Sequence, residues 1–196
     1  MNYIDNYFNL SDKVVALTGG AGFLCSEMAL GFHHAGCAVS VLDSNLGGAE
    51  KIVKTIENEG GKAIALEMNA SKKEDFKYCL KEVVTEFGQV DILVNGAGIN
   101  APTPFLDITE EEWDDCMAVN VKGVWNACRA VVPTMRECDG GSIINMASLA
   151  ATYGLPFCLH YTASKAAVIG ITRGLARELG RHWIRVNAIA PSAVAT

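Results

Sequence analysis

The chain has 196 residues, half of them hydrophobic and 19% charged, so it is long enough to bury a core and too apolar for intrinsic disorder. A formal net charge of −6 and a pI near 5.2 argue against a nucleic-acid binder but not against a dinucleotide, whose phosphates can rest on backbone N–H groups at a helix end. No segment has the roughly 18 continuous apolar residues of a membrane span, and Met1–Leu10 lacks the basic start and apolar run of a signal peptide, so a soluble, cytoplasmic protein is expected.

In chain order the pattern alternates strand, turn and helix. Lys13–Thr18 is a short apolar run ending in glycines, as a buried parallel strand should. Gly22–Ala35 has helical spacing and closes at Gly36. Ala38–Leu42 is a second strand, Leu46–Glu59 a helix stopped by Gly60-Gly61, Ala63–Met68 a third strand and Lys72–Phe87 a helix stopped by Gly88. Val90–Val94 is a fourth strand, followed by a Gly/Pro-rich loop through Pro104. Thr109 with Glu112 three residues on forms a capping box that opens a helix running to about Arg136. Gly141–Met146 is a fifth strand, Phe157–Leu179 a helix and Ile184–Ile189 a sixth strand. Such alternation implies an α/β fold, a doubly wound parallel sheet with helices on both faces in a single domain over 1–196. The last strand is followed only by Pro191–Thr196, with no crossover helix, and the expectation is that a C-terminal strand and lid belong after residue 196.

The seven cysteines form no C-x-x-C pair or Cys/His cluster, so they read as reduced thiols, and no metal site is expected. His33-His34 lies at a helix end, favourable for the dipole, with no third ligand spaced to join it. His160, beside Tyr161, reads as a solvent or core contact, and Trp113, Trp125 and Trp183 as core or interface residues.

Three motifs carry chemistry. Thr18-Gly19-Gly20-Ala21-Gly22-Phe23-Leu24-Cys25 joins the first strand to the first helix, where glycine lets the backbone approach a pyrophosphate seated on the helix N-terminus. Asp43 ends the second strand, placed to accept hydrogen bonds from ribose hydroxyls and to repel a 2′-phosphate; the other reading is a turn aspartate capping the next helix. Tyr161 and Lys165 lie one helical turn apart, with Ser148 upstream at the end of the fifth strand. There an ammonium favours the phenolate, and a serine can hydrogen-bond a carbonyl oxygen while hydride moves.

Taken together with Asn95-Gly96-Ala97-Gly98, Asn120 and Arg185-Val186-Asn187-Ala188-Ile189-Ala190-Pro191, these motifs make the chain resemble the short-chain dehydrogenase/reductase family from about residue 9 onward. The resemblance implies strand order 3-2-1-4-5-6, a homo-oligomer (dimer or tetramer) and NAD as cofactor. It also implies that Tyr161 is the acid/base, Ser148 orients the carbonyl, Lys165 binds the nicotinamide ribose, and Asn120 holds a water in the proton relay. Gly19, Gly22, Phe23, Leu24, Asp43, Asn69, Ala70, Asn95, Gly96, Ala97, Tyr161, Lys165, Pro191, Val194 and Thr196 would line the cofactor. Four departures stand out. Gly19 and Gly22 follow the G-x-x-G spacing of extended, epimerase-like relatives, and Cys25 replaces the last glycine. Asn69 replaces a common aspartate, and Ser192 replaces the glycine after Pro191. The leading expectation is an NAD-dependent oxidoreductase interconverting a secondary alcohol and a ketone, on a sugar acid, polyol or similar small hydroxylated substrate. The alternatives are a 3-oxoacyl-thioester reductase and a catalytically silent dinucleotide-binding protein.

Overall fold

The computed structural model describes residues 10–194; the N-terminal reading of Met1–Leu10 and the assignment of Thr196 therefore fall wholly or largely outside the described residues. Six strands, β1 (Val14–Thr18), β2 (Ala38–Asp43), β3 (Ala63–Glu67), β4 (Ile92–Asn95), β5 (Gly141–Met146) and β6 (Ile184–Ile189), form one parallel sheet of order β3-β2-β1-β4-β5-β6. Every residue of β1 and β4 is buried, which is why both read as unbroken apolar runs instead of alternating ones.

The helices are α1 (Phe23–His34), α2 (Leu46–Asn58), α3 (Lys73–Phe87), α4 (Glu110–Met117), α5 (Val124–Glu137), α6 (Ala150–Tyr153) and α7 (Leu159–Leu179). The side chains of β1 divide between two cores. Val15 and Leu17 pack with Ala29 of α1 and with Ala49, Val53 and Ile56 of α2. Val14 and Ala16 join the layer containing Phe76 and Val83 of α3, Val131 and Met135 of α5, and Val168 of α7. Burying one such aliphatic side chain contributes about 1.5–3 kcal/mol. No helix among the described residues is long and apolar enough to cross a membrane.

Several expected elements shift. The single helix from Thr109 to Arg136 is α4, a π-helical turn at Ala118–Gly123, and α5, which contains Pro133. Hydrophobic periodicity does not register a one-residue insertion of this kind. The capping box at its start is present: Glu112 N donates to Thr109 Oγ1 at 3.1 Å and Thr109 N to Glu112 Oε2 at 3.2 Å. The last helix starts at Leu159, not Phe157, because Phe157 has φ of +63° and cannot continue a helix. Short α6 had no periodic signal. Trp183 is not part of this chain's core: it is 81% exposed, at φ +58° after α7. His160 is buried, with Nδ1 unbonded. On β6, the face carrying Arg185, Asn187 and Ile189 is exposed.

Candidate active site

Strand β1 pairs with β2 on one side and β4 on the other, so the chain leaves it in opposite directions and a crevice opens beyond the strand ends. The turn after β1 fills one wall. Gly19 has φ +64°, and a Cβ there would stand 2.6 Å from Ala97 Cα, so no side chain fits. Thr18 Oγ1 accepts from Gly96 N at 3.2 Å and Ala97 N at 3.3 Å, tying the loop after β4 to this turn.

Gly22 is the N-cap of α1, with no side-chain cap and no acidic residue in the first turn. Ser26 N is the first to bond back, to Gly22 O at 2.8 Å, so the N–H groups before it point out unpaired by the helix. By contrast α4 begins with its capping box and with Glu110, Glu111 and Glu112. One helix start is closed by its own side chains; the other is left open to an anion.

Asp43, at the end of β2, does two local jobs. Its Oδ2 accepts from Ala21 N at 2.9 Å and its Oδ1 from Asn45 N at 2.8 Å. The carboxylate therefore braces the glycine turn as well as its own loop, and the cap of α2 is instead Asn45, whose Oδ1 accepts from Gly48 N. Each carboxylate oxygen retains acceptor capacity toward the crevice. A cleft of about 370 Å³ opens there, lined by Gly19, Gly22, Asp43, Asn69, Ala70 and Ala97 among others, with no Lys, Arg or His. Asn69 is held by its turn, its Oδ1 accepting from Ser71 N and Oγ, and Ala70 is buried under Gly123 of the π turn.

A second cleft of about 250 Å³ shares Gly96, Gly98 and Ile99 with the first, so the two form one groove. Its walls include Ser148, Tyr161, Lys165, Cys25 and Pro191. Tyr161 and Lys165 lie on the first turns of α7, and the Lys165 Nζ is 5.6 Å from the centre of the Tyr161 ring. Lys165 is 4% exposed and donates to Met146 O at 2.7 Å. Burial pulls its pKa down to about 8. Ser148 Oγ accepts from Ala150 N at 3.1 Å, which leaves the hydroxyl proton to be given elsewhere.

Asn120 sits in the π turn, fully buried. Its Oδ1 accepts from Ile99 N at 2.8 Å, and its Nδ2 donates to Ile99 O at 2.9 Å and to Ser164 Oγ at 3.0 Å. Ser164 in turn donates to Tyr161 O at 2.7 Å. A chain of hydrogen bonds thus joins the loop after β4, the π turn and the helix carrying Tyr161 and Lys165. Gly98 permits it: a Cβ there would press on Asn120 Oδ1 at 3.3 Å and Lys165 Nζ at 3.4 Å.

Not every expected residue reaches the groove. Asn95 is buried between β4 and β5, donating to Asn145 Oδ1 at 2.8 Å, and lines neither cleft. Val194 is exposed and also lines neither. Phe23 is 53% exposed at the start of α1, while Leu24 lines the second cleft. The Cys25 Sγ occupies the space where Gly96 lacks a Cβ, and burial raises its thiol pKa to about 11. Sequence reasoning missed Ser164 and the backbone of Ile99 and Met146. Ser164 carried a usable signal, one residue before Lys165 and three after Tyr161.

A family model for short chain dehydrogenases matches residues 13–196. A 3-oxoacyl-[acyl-carrier-protein] reductase of Staphylococcus epidermidis is 39% identical over 184 residues, covering 92% of this chain and 74% of the relative. A D-threitol dehydrogenase of Mycolicibacterium smegmatis is 34% identical over 193 residues, 98% of this chain and 74% of the relative. A crystal structure of NAD+-bound xylitol dehydrogenase superposes with a TM-score of 0.92 at 31% identity, over 95% of this chain and 72% of that one.

Proposed function

The chain belongs to the short chain dehydrogenase family, oxidoreductases acting on CH–OH groups, and on that premise we propose that it interconverts a secondary alcohol and a ketone with NAD(H), on a polyol or sugar acid. The observation that carries this reading is the single groove, with Tyr161, Lys165 and Ser148 at one end and Asp43 at the other. The open α1 start fits a dinucleotide's pyrophosphate. The preference for NAD rests on Asp43 in a cleft wall without a cation, where a 2′-phosphate would meet a carboxylate and no counter-charge.

The nicotinamide, when bound, supplies the hydride acceptor or donor. The chain's own residues handle the proton and the geometry. Ser148 gives its free O–H to the substrate oxygen, and Tyr161 takes the hydroxyl proton during oxidation or returns it during reduction. Lys165, with Nζ N–H groups left after its bond to Met146 O, holds the ribose hydroxyls and keeps positive charge near the Tyr161 ring. Asn120 positions the segment from Ile99 to Tyr161 and holds a water in the proton relay. Gly22, Leu24, Asn69, Ala70, Gly96, Ala97 and Pro191 shape the cofactor's course. We further assign the chain as one Rossmann-type unit that works as a homo-oligomer in the cytoplasm.

A second reading has its own support. Phe105, Leu155, Phe157 and Leu159 form an exposed apolar rim near Tyr161, and a 39%-identical relative is named for a 3-oxoacyl thioester, so an acyl-thioester reductase stands as the alternative. A screen of polyols and sugar acids with NAD+, against 3-oxoacyl thioesters with NADPH, separates the two by absorbance of the reduced nicotinamide. Turnover only in the second arm would overturn the polyol reading.

A further inference from the structure

At the end of the sheet opposite the catalytic groove, the described residues bring three metal-ligating side chains together. His33 and His34 are the last two residues of α1, and Glu59 is the C-cap of α2, 25 residues beyond His34. The expectation of no third ligand beside the two histidines is therefore corrected by tertiary structure: both imidazoles converge on one carboxylate oxygen, His34 Nε2 at 2.9 Å and His33 Nε2 at 3.3 Å from Glu59 Oε2. One ligand atom from each residue lies within 4.8 Å of the others.

From this arrangement we propose that His33, His34 and Glu59 form a zinc-class divalent metal site that clamps the ends of α1 and α2. Two imidazole nitrogens and one carboxylate oxygen suit Zn2+ or Cu2+ better than Mg2+ or Ca2+, which prefer all-oxygen shells. The fourth position falls to water, because His34 is 64% and Glu59 47% exposed. The electrostatics also favour a cation. Two helix C-termini meet here, and each presents the negative end of its dipole. Asp12, Glu57 and Glu86 line the adjoining cavity of about 910 Å³, against Lys13 and Lys62, and Lys13 is already paired with Asp91.

His33 is held in place by the fold. Its side chain is only 12% exposed, and its ring fills the space where Gly61, in the turn before β3, has no Cβ. Glycine at 61 and the left-handed Gly60 at φ +82° let the α2–β3 turn pass under the imidazole and swing Glu59 toward it. The metal would then tie together, at their far ends, the two helices whose near ends carry the glycine turn and the Asp43 loop. α1 alone puts about 18 Å between the two sites.

The test is a calorimetric titration of Zn2+ alone into tag-free protein carrying Cys138→Ser, which removes the one exposed thiol. One saturable equivalent is expected, with a melting temperature that rises with Zn2+ concentration. His34→Ala and Glu59→Gln alter exposed side chains, and each should weaken Zn2+ at least about tenfold and cancel the thermal shift. Cu2+ bound in place of Zn2+ should show two nitrogen couplings in its paramagnetic resonance spectrum, and one in His34→Ala. Absence of saturable binding overturns the proposal, as does Zn2+ affinity that is the same in both variants as in the parent protein.

Discussion

The two ends of the groove are built from different materials. The cofactor end is backbone: an open helix start, a glycine at φ +64° and a loop hung from Thr18, with Asp43 as its one charged side chain. The catalytic end is a side-chain lattice, in which Asn120, Ser164, Lys165 and Ser148 each bond to groups distant in sequence or to the backbone of another element. A backbone cradle is fixed by what a residue lacks, and tolerates change anywhere a Cβ fits. A lattice is fixed by pairs, and the loss of one partner leaves the other buried and unpaired.

The largest expected break in that contrast is Asn120→Ala. It strips Ile99 N and O and Ser164 Oγ of a partner, so it should cost about 3 kcal/mol of stability by denaturant unfolding. Turnover should fall about a hundredfold while the KM for NAD+ changes little. An equal loss of NAD+ affinity would mean the two ends are not separable.

Asp43→Ala probes the other end. Because the carboxylate braces Ala21 N and Asn45 N, NAD(H) should weaken, while removal of the charge facing a 2′-phosphate narrows the NAD/NADP ratio by about tenfold or more. Isothermal titration with both cofactors reads this out, and a wild type that already prefers NADP(H) would contradict the role given to Asp43.

Lys165 sharpens the comparison through pH. Its folded pKa of about 8 lies below the unfolded value, so the folded chain sheds this proton first and the burial cost of the ammonium, present below pH 8, fades as pH rises toward the unfolded value. The stability gap between wild type and Lys165→Met should therefore shift in favour of wild type over that window, followed by urea melts at stepped pH. In activity, kcat/KM for NAD+ should decline above about pH 8 as the ammonium is lost. A gap constant with pH would show that Lys165 is not buried as described.

The smallest effect is expected at Cys25. Cys25→Gly removes an Sγ packed against Gly96, which leaves a small void costing about 1 kcal/mol, and cofactor affinity should hold or improve. A markedly weaker NAD+ would show that the thiol itself contacts the cofactor.

The same division explains what was legible in the chain. Glycines at 19 and 22, Asp43, and the Tyr161/Lys165 spacing report local geometry; the alternation they punctuate gave the parallel sheet, and the order of its six strands came from the family resemblance. The π turn at Asn120 was invisible because periodicity does not register a one-residue insertion, and the partner of Asn120, Ile99, lies 21 residues earlier. The partner of Asn95 was equally out of reach of local spacing: it is Asn145, 50 residues on, across the β4–β5 pair. Glu59 joined the histidines only once α1 and α2 lay side by side.

The most direct test of the account is Tyr161→Phe, which removes the proposed acid/base and keeps the ring. On a substrate that wild type oxidises, stopped-flow and steady-state NADH formation should fall by at least about 10²–10⁴-fold, with NAD+ affinity nearly unchanged by titration. Wild-type turnover in that variant would falsify the mechanism.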